Sequence, residues 1–128
     1  FREPLKGEVC RLPVRRSQPH PMTGFNTVVE SFIFLHELPE GKLGDDRGFC
    51  LPAHQVTPEK AELVLTEIAS KHGLALGPIE DAFDERIQGI VDTWPTEVNA
   101  SRSVSLGLPK PPPLEEIIGQ YLEAFGSD

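Results

Sequence analysis

The 128 residues predict a small α/β (α+β) domain, with a few short strands and about four helices, and three observations carry that prediction. Thirteen prolines and eleven glycines cut the chain into short elements. Apolar residues recur at helical spacing in several segments, with short strand-like runs between them. Finally, 38% hydrophobic and 25% charged residues is an ordinary globular composition, at a length that fits one core and is short for two. The whole span 1–128 is therefore expected to be a single domain. Its strands are too few for a self-contained doubly wound sheet, which suggests a unit built to sit on something larger.

The elements follow in order. Glu8 to Val14 alternates loosely and reads as a strand closed by Pro13. Arg15 to Thr23 reads as a loop, because Pro19 and Pro21 leave little room for regular structure. From Asn26 to Leu38 the pattern turns helical, with Val28, Val29, Phe32, Ile33 and Leu35 in register and Asn26 or Thr27 as the expected cap; Pro39 and Gly41 end it. Arg47 to Pro52 is a short apolar run of the kind that makes a buried strand.

The next helix has the clearest start. Thr57 is placed as N-cap, Pro58 fits the first helical position, and Glu59 suits the positive end of the dipole. Ala61, Val64, Leu65, Ile68 and His72 then share a face until Gly73. Another strand is expected around Leu76 to Ala82, then a short helix with Ile87, Ile90, Val91 and Trp94, stopped by Pro95. Asn99 to Leu106 reads as a brief helical turn closed by Gly107. Beyond the rigid Pro109–Pro113 spacer, Leu114, Ile117, Ile118, Tyr121, Leu122 and Phe125 form a stripe that marks a core-facing helix.

Charge narrows the function. With 20 acidic against 12 basic residues the net charge is −8, the wrong sign for a nucleic-acid binder or an anionic membrane surface. No apolar run approaches a membrane span, and no signal-peptide core is evident at Phe1-Arg2-Glu3-Pro4, so a cytoplasmic protein is expected. Cys10 and Cys50 are expected as buried reduced thiols.

The four histidines show no metal-ligand spacing, and with two cysteines no zinc site is expected. His36 and His72 fall at helix carboxy ends, where the dipole explains them. His20 and His54 each follow a strand-like segment in a loop, and are the candidates for general acid or base chemistry. Trp94 reads as a packing anchor, or alternatively as the wall of a ligand pocket. Arg11, Arg15 and Arg16 read as solvated charge, and Asp81, Asp84 and Glu85 as strand-end and helix-start charges.

Three stretches then bring a family into view. Pro4-Leu5-x-Gly7 leads to Val9-Cys10 and Pro13-Val14. Val28 to Leu38 is followed by Arg47 to Pro52 and Thr57 to Gly73. The most specific runs from Ile87 to Tyr121, with Ile90-Val91-Asp92-x-Trp94-Pro95, Arg102, Leu106-Gly107-Leu108-Pro109 and Ile117-Ile118-x-x-Tyr121-Leu122-Glu123. Together they resemble the carboxy-terminal, substrate-binding part of extended short-chain dehydrogenases of the NAD-dependent epimerase/dehydratase type, in particular the D-erythronate dehydrogenase-like group.

The resemblance implies an amino-terminal Rossmann half with a glycine-rich turn and a catalytic Tyr-x-x-x-Lys. Neither motif is in these residues: no Gly-x-Gly-x-x-Gly occurs, and the lone tyrosine, Tyr121, has Phe125 four positions on. No cofactor is therefore expected on this chain. Family members also carry a Trp and a Ser-Pro-Arg run facing the substrate. The equivalent region here reads His20-Pro21-Met22-Thr23-Gly24-Phe25-Asn26, without the arginine that would suit a sugar-acid carboxylate. Met22, Thr23, Phe25, Asn26 and Trp94 are the expected substrate-binding residues.

Three functions fit. In the first, a small-molecule-binding domain is repurposed for cofactor-independent isomerisation, dehydration or cyclisation, with His20 and His54 as acid and base. In the second, the chain is an inert fragment of an NAD-dependent sugar-acid dehydrogenase. In the third, it is a non-catalytic dimeric binding module. The expected partners are a small-molecule substrate and either a second copy or the missing Rossmann domain. The first is the leading expectation from sequence alone.

Overall fold

The computed structural model describes residues 1–126. The first strand, β1 (Cys10–Leu12), pairs in parallel with β4 (Ile79–Asp81), in the register Cys10–Ile79, Arg11–Glu80 and Leu12–Asp81. A second, separate pair is antiparallel: β2 (His20–Met22) lies against β3 (His54–Val56). No strand exceeds three residues, so neither pair is a sheet that could stand alone. Helices do the rest. The long ones are α2 (Phe25–Glu37), α4 (Pro58–His72), α5 (Glu85–Val91) and α7 (Leu114–Phe125). Three single turns or little more, α1 (Arg2–Leu5), α3 (Glu40–Leu43) and α6 (Ser101–Leu106), stitch the loops.

The core forms where α4 crosses α7. Val64, Leu65 and Ile68 from α4 meet Leu114 and Ile118 from α7, with Val56 of β3 between them; Ile118 is 0% exposed. The local signals that place α4 are those expected: the Thr57 hydroxyl accepts from the Lys60 amide at 3.2 Å, Pro58 opens the helix, and Gly73 closes it at φ 64°. Asp84 caps α5 by accepting from the Arg86 and Ile87 amides. Gly77 has a steric reason: a Cβ there would lie 2.0 Å from the Glu8 carbonyl oxygen, where the chain crosses on its way into β1.

Several expectations are corrected. The span Arg15 to Thr23 is not all loop, because β2 occupies His20–Met22. Pro21 is tolerated since a two-stranded ribbon consists of edges, where a missing amide costs no ladder bond. Arg47 to Pro52 is not a strand; the strand begins at His54. Side chains of α6 take the place of a pairing partner there. Arg102 donates to the carbonyls of Leu43, Asp46 and Gly48, and the Ser103 hydroxyl donates to Cys50 O at 2.6 Å. Gly24 rather than Asn26 or Thr27 is the N-cap of α2, with no side-chain cap. Cys10 is half-buried and Cys50 exposed, both as free thiols. Trp94, 54% exposed, is not a packing anchor. Arg15 and Arg16 are paired rather than merely solvated: Arg15 with Asp92, and Arg16 with Glu62 and Asp81.

The long helices divide into two kinds. On α4 and the first half of α7 the apolar face is the buried face. On α2 it is not. The side turned into this domain carries Thr27 and Ser31, at 2% and 1% exposure, while Val29, Phe32 and Ile33 are 54%, 70% and 59% exposed. The buried Ser31 hydroxyl is satisfied by donating to Thr27 O at 2.6 Å. Close packing explains the small inward side chains, since Gly24 lies against Ile117 and Gly107 against Phe34. On α5 the same inversion recurs, with Gln88 at 2% and Ile90 at 53%.

Ile118→Ala is expected to lower the unfolding free energy by about 3 kcal/mol, as full truncation of a fully packed side chain does, whereas Phe32→Ala, on a residue 70% exposed, should stay within about 0.5 kcal/mol. Urea titration followed by circular dichroism reads both. Equal losses would show that α2 is packed in solution otherwise than described.

Candidate functional site

The β2–β3 ribbon gathers several of the residues singled out by sequence. Its register sets Met22 opposite His54 and His20 opposite Val56, so the two histidines lie diagonally across it. Their environments differ. His54 is tied down, its Nε2 lying 2.7 Å from the Pro112 carbonyl oxygen. That contact requires Nε2 to carry the proton, since a carbonyl only accepts. His54 thus anchors the proline spacer before α7, and it presents Nδ1 alone for other work. His20 instead meets the indole of Trp94 edge-on, with ring centroids 6.4 Å apart and planes at 69°.

Trp94 reaches His20 because a buried polar network holds the end of α5 to the segment before β2. The Gln88 amide nitrogen donates to Gln18 Oε1 at 2.8 Å and to Asp92 Oδ1 at 2.6 Å, while its oxygen accepts from the Arg15 amide at 2.8 Å. Gln18 and Gln88 are 8% and 2% exposed. Arg15 closes the ring on Asp92 at 3.3 Å. Buried amides linked in this way fix one arrangement of two segments 70 residues apart, because any slip strands a polar group away from water.

The remaining substrate candidates disperse from there. Met22 packs on the core cluster. Phe25, the first residue of α2, is 40% exposed and stacks edge-on with Phe125 at 5.8 Å. Asn26 is half-buried on the same helix. The Thr23 hydroxyl is buried with no partner, as is the side-chain oxygen of Gln120, which lies near Gly24. His20, Trp94, Met22 and His54 are therefore neighbours, while Phe25 and Asn26 start a different surface.

A second region went unread in the sequence. Ser31, Phe32, Leu35, Arg47, Phe49 and Leu51 line a half-open apolar cavity of about 300 Å³ between α2 and the irregular segment after α3. Arg102 sets its far wall, stacking 4.5 Å above the Phe49 ring while holding the loop carbonyls and pairing with Asp46 at 2.9 Å. Arg102 stood in the family-like run, yet nothing in its spacing announced a contact 54 residues away.

Chemically the ribbon offers one imidazole fixed by a backbone carbonyl and one beside an indole, with no cluster around them. Among the described residues no three His, Cys, Asp or Glu groups come together to hold a metal ion, and no helix is long and apolar enough to cross a membrane. Helices α2 and α4 follow strands through Thr23-Gly24 and through Thr57-Pro58, so neither opens on the glycine-rich turn that admits a pyrophosphate.

Comparison with known proteins fits this picture. The chain is 32% identical over 123 residues to the D-erythronate dehydrogenase of Haemophilus influenzae, which takes in 96% of this chain and 38% of that protein. The D-erythronate dehydrogenase of Cupriavidus necator is 29% identical over 126 residues, again 38% of its length. The chain thus spans about two fifths of the curated relatives it matches. Among solved structures, the nucleoside-diphosphate-sugar epimerase from Agrobacterium tumefaciens superposes with a TM-score of 0.85 at 26% identity, over 98% of this chain and 36% of the other. The GalE-like L-threonine dehydrogenase from Cupriavidus necator shares the fold, with a TM-score of 0.79 at 21% identity, over 98% of this chain and 43% of the other. No family model matches.

Gln88→Leu, which leaves the Arg15 amide, Gln18 and Asp92 without their partner, is expected to lower stability by about 1–3 kcal/mol. It should also raise the accessibility of Trp94 to acrylamide. Unchanged stability and quenching would mean that the network does not hold the indole in place.

Proposed function

We propose that this chain, related over nearly its whole length to part of the extended short-chain dehydrogenases and epimerases, is the substrate-side portion of such an enzyme and works only with a nucleotide-binding half. The carrying observation is the extent of the match: almost all of this chain corresponds to 38% of the D-erythronate dehydrogenases. The missing glycine-rich turn and Tyr-x-x-x-Lys agree with it. On this reading the other half holds the nicotinamide and the proton-transfer residues, and this chain shapes the space in which a small hydroxylated substrate lies.

This reading takes precedence over cofactor-free isomerisation or cyclisation, the leading expectation from sequence. That expectation needs two imidazoles converging on one substrate, and His54 already holds the Pro112 carbonyl while His20 abuts Trp94. His20, Trp94, Met22 and Thr23 are assigned to the substrate side, with Phe25 and Asn26 at its margin. The relatives are named for D-erythronate. The loop His20 to Asn26 lacks an arginine to pair with that acid, so weaker binding of a carboxylate substrate is part of the proposal.

Two measurements test it. The 128-residue chain alone is expected to show no saturable NAD binding by calorimetry, and micromolar binding would overturn the reading. Fused behind the preceding part of the Haemophilus influenzae relative, the same chain should restore NAD-dependent oxidation, with a KM for D-erythronate raised about tenfold or more over the intact relative, as loss of one charged contact predicts. A fusion that is folded, binds NAD and turns over no hydroxylated acid or sugar would sink it.

A further inference from the structure

We propose that the outward face of α2, and not that of α5, is the seam on which the nucleotide-binding half seats; this rests on the reading above. Two exposed apolar faces compete for the role. One carries Phe25, Val29, Phe32 and Ile33 on α2, and the other carries Phe83, Ile87, Ile90 and Trp94 on and around α5.

Three observations select α2. First, α2 is inverted over a longer helix than α5, 13 residues against seven, so it offers the longer apolar face. Val29, Phe32 and Ile33 point away from this domain, while the small polar Thr27 and Ser31 point in beside the half-buried Phe34. At 100° per residue, Phe25, Val29, Phe32 and Ile33 fall within one stripe that also carries the exposed His36, with Glu30 and Glu37 to one side. A stripe free of carboxylates and ammonium groups is the composition of a permanently covered interface.

Second, the stripe runs to where the chain starts. The Phe25 ring meets Phe125 at 5.8 Å, and Phe125 with Tyr121, Arg2 and Lys6 lines a shallow groove beside the first turn of the chain. A nucleotide-binding half that precedes these residues, as the family resemblance implies, approaches past the end of this stripe. Phe83, Ile87 and Ile90 have no such continuity. Ile90 stands one turn before Trp94, which meets His20 of the ribbon assigned to substrate.

Third, the stripe carries a socket. The cavity of about 300 Å³ opens beside Phe32, and Arg102 holds its wall by three carbonyls and a stacked ring. A preformed apolar recess at the edge of an apolar face is where an anchoring side chain of the covering domain inserts. Arg47 at its edge, paired among the described residues with the exposed Glu40, selects an acidic neighbour beside that anchor.

The test uses thiol accessibility in the fusion described above, with Cys10→Ala and Cys50→Ser as background and Phe32→Cys or Ile90→Cys introduced singly. The fusion is expected to bind NAD, to slow maleimide labelling at position 32 by about a hundredfold relative to the isolated chain, and to leave position 90 within about twofold. NAD binding with position 32 still reactive overturns the seam and leaves the reading of a two-part enzyme standing. A fusion that binds no NAD overturns that reading and the seam with it. Concentration-dependent protection of position 32 in the isolated chain identifies a second copy as the occupant, which also overturns the proposal.

Discussion

A single guanidinium ties the parallel strand pair, α4 and the segment that leads into the antiparallel ribbon to one another. Arg16 stands between β1 and β2 and reaches across both. Its Nε donates to Asp81 at 2.8 Å and an Nη to the Ile79 carbonyl at 3.2 Å, both on β4, while its other Nη engages Glu62 on α4. Its own carbonyl accepts from the Glu59 amide at the start of that helix. One residue thereby fixes the segment that leads into β2 against the parallel pair and α4. Partial desolvation works against the charge, yet Glu62 and Asp81 override it and hold the guanidinium pKa above its already high ordinary value. The guanidinium is thus charged at every pH a protein meets, and its planar fork geometry lets one side chain serve three acceptors where a lysine would serve them poorly.

The same economy of regular structure recurs at Arg102. Where a strand partner is missing after α3, its donors satisfy three loop carbonyls, and Ser103 satisfies a fourth. Backbone groups that no ladder claims still need partners. Side chains from 50 or more residues away supply them here, which is why the apolar run Arg47 to Pro52 has the composition of a strand without being one. Sequence periodicity reports what a segment would do with a neighbour, and it carries no record of whether that neighbour is backbone or guanidinium.

What was legible follows the range of the interactions. Thr57, Pro58 and Gly73 bracket α4 through contacts within four residues, so both its ends could be read directly. The stripe from Leu114 to Ile118 was legible for the same reason, and β1 and β4 emerged inside the runs that suggested them. The strand β2 was hidden by Pro19 and Pro21, whose penalty disappears on an unshared edge. The candidate site was legible only as residue types: His20 and Trp94 do meet, but the Gln18–Gln88–Asp92 network that brings them together joins points 70 residues apart. His54, read as free to act, has a carbonyl partner 58 residues downstream.

The inverted helices are the informative exception, because there the local reading was correct and its usual consequence was not. Val29, Phe32 and Ile33 do make α2 a helix, yet the domain packs Thr27 and Ser31 instead. A sequence that had evolved to fold alone would set its strongest apolar stripe into its own core, since consistency between local pattern and global packing is what gives the native state its energy gap. Burying one such side chain is worth about 1.5–3 kcal/mol, so a whole stripe left in water is a large fraction of the stability a domain of this size commands. Small residues on the inward side are also what lets α2 approach α7 through Gly24 and Ile117. The fold therefore has its self-sufficient part at the α4–α7 crossing and leaves the apolar stripe of α2 in water.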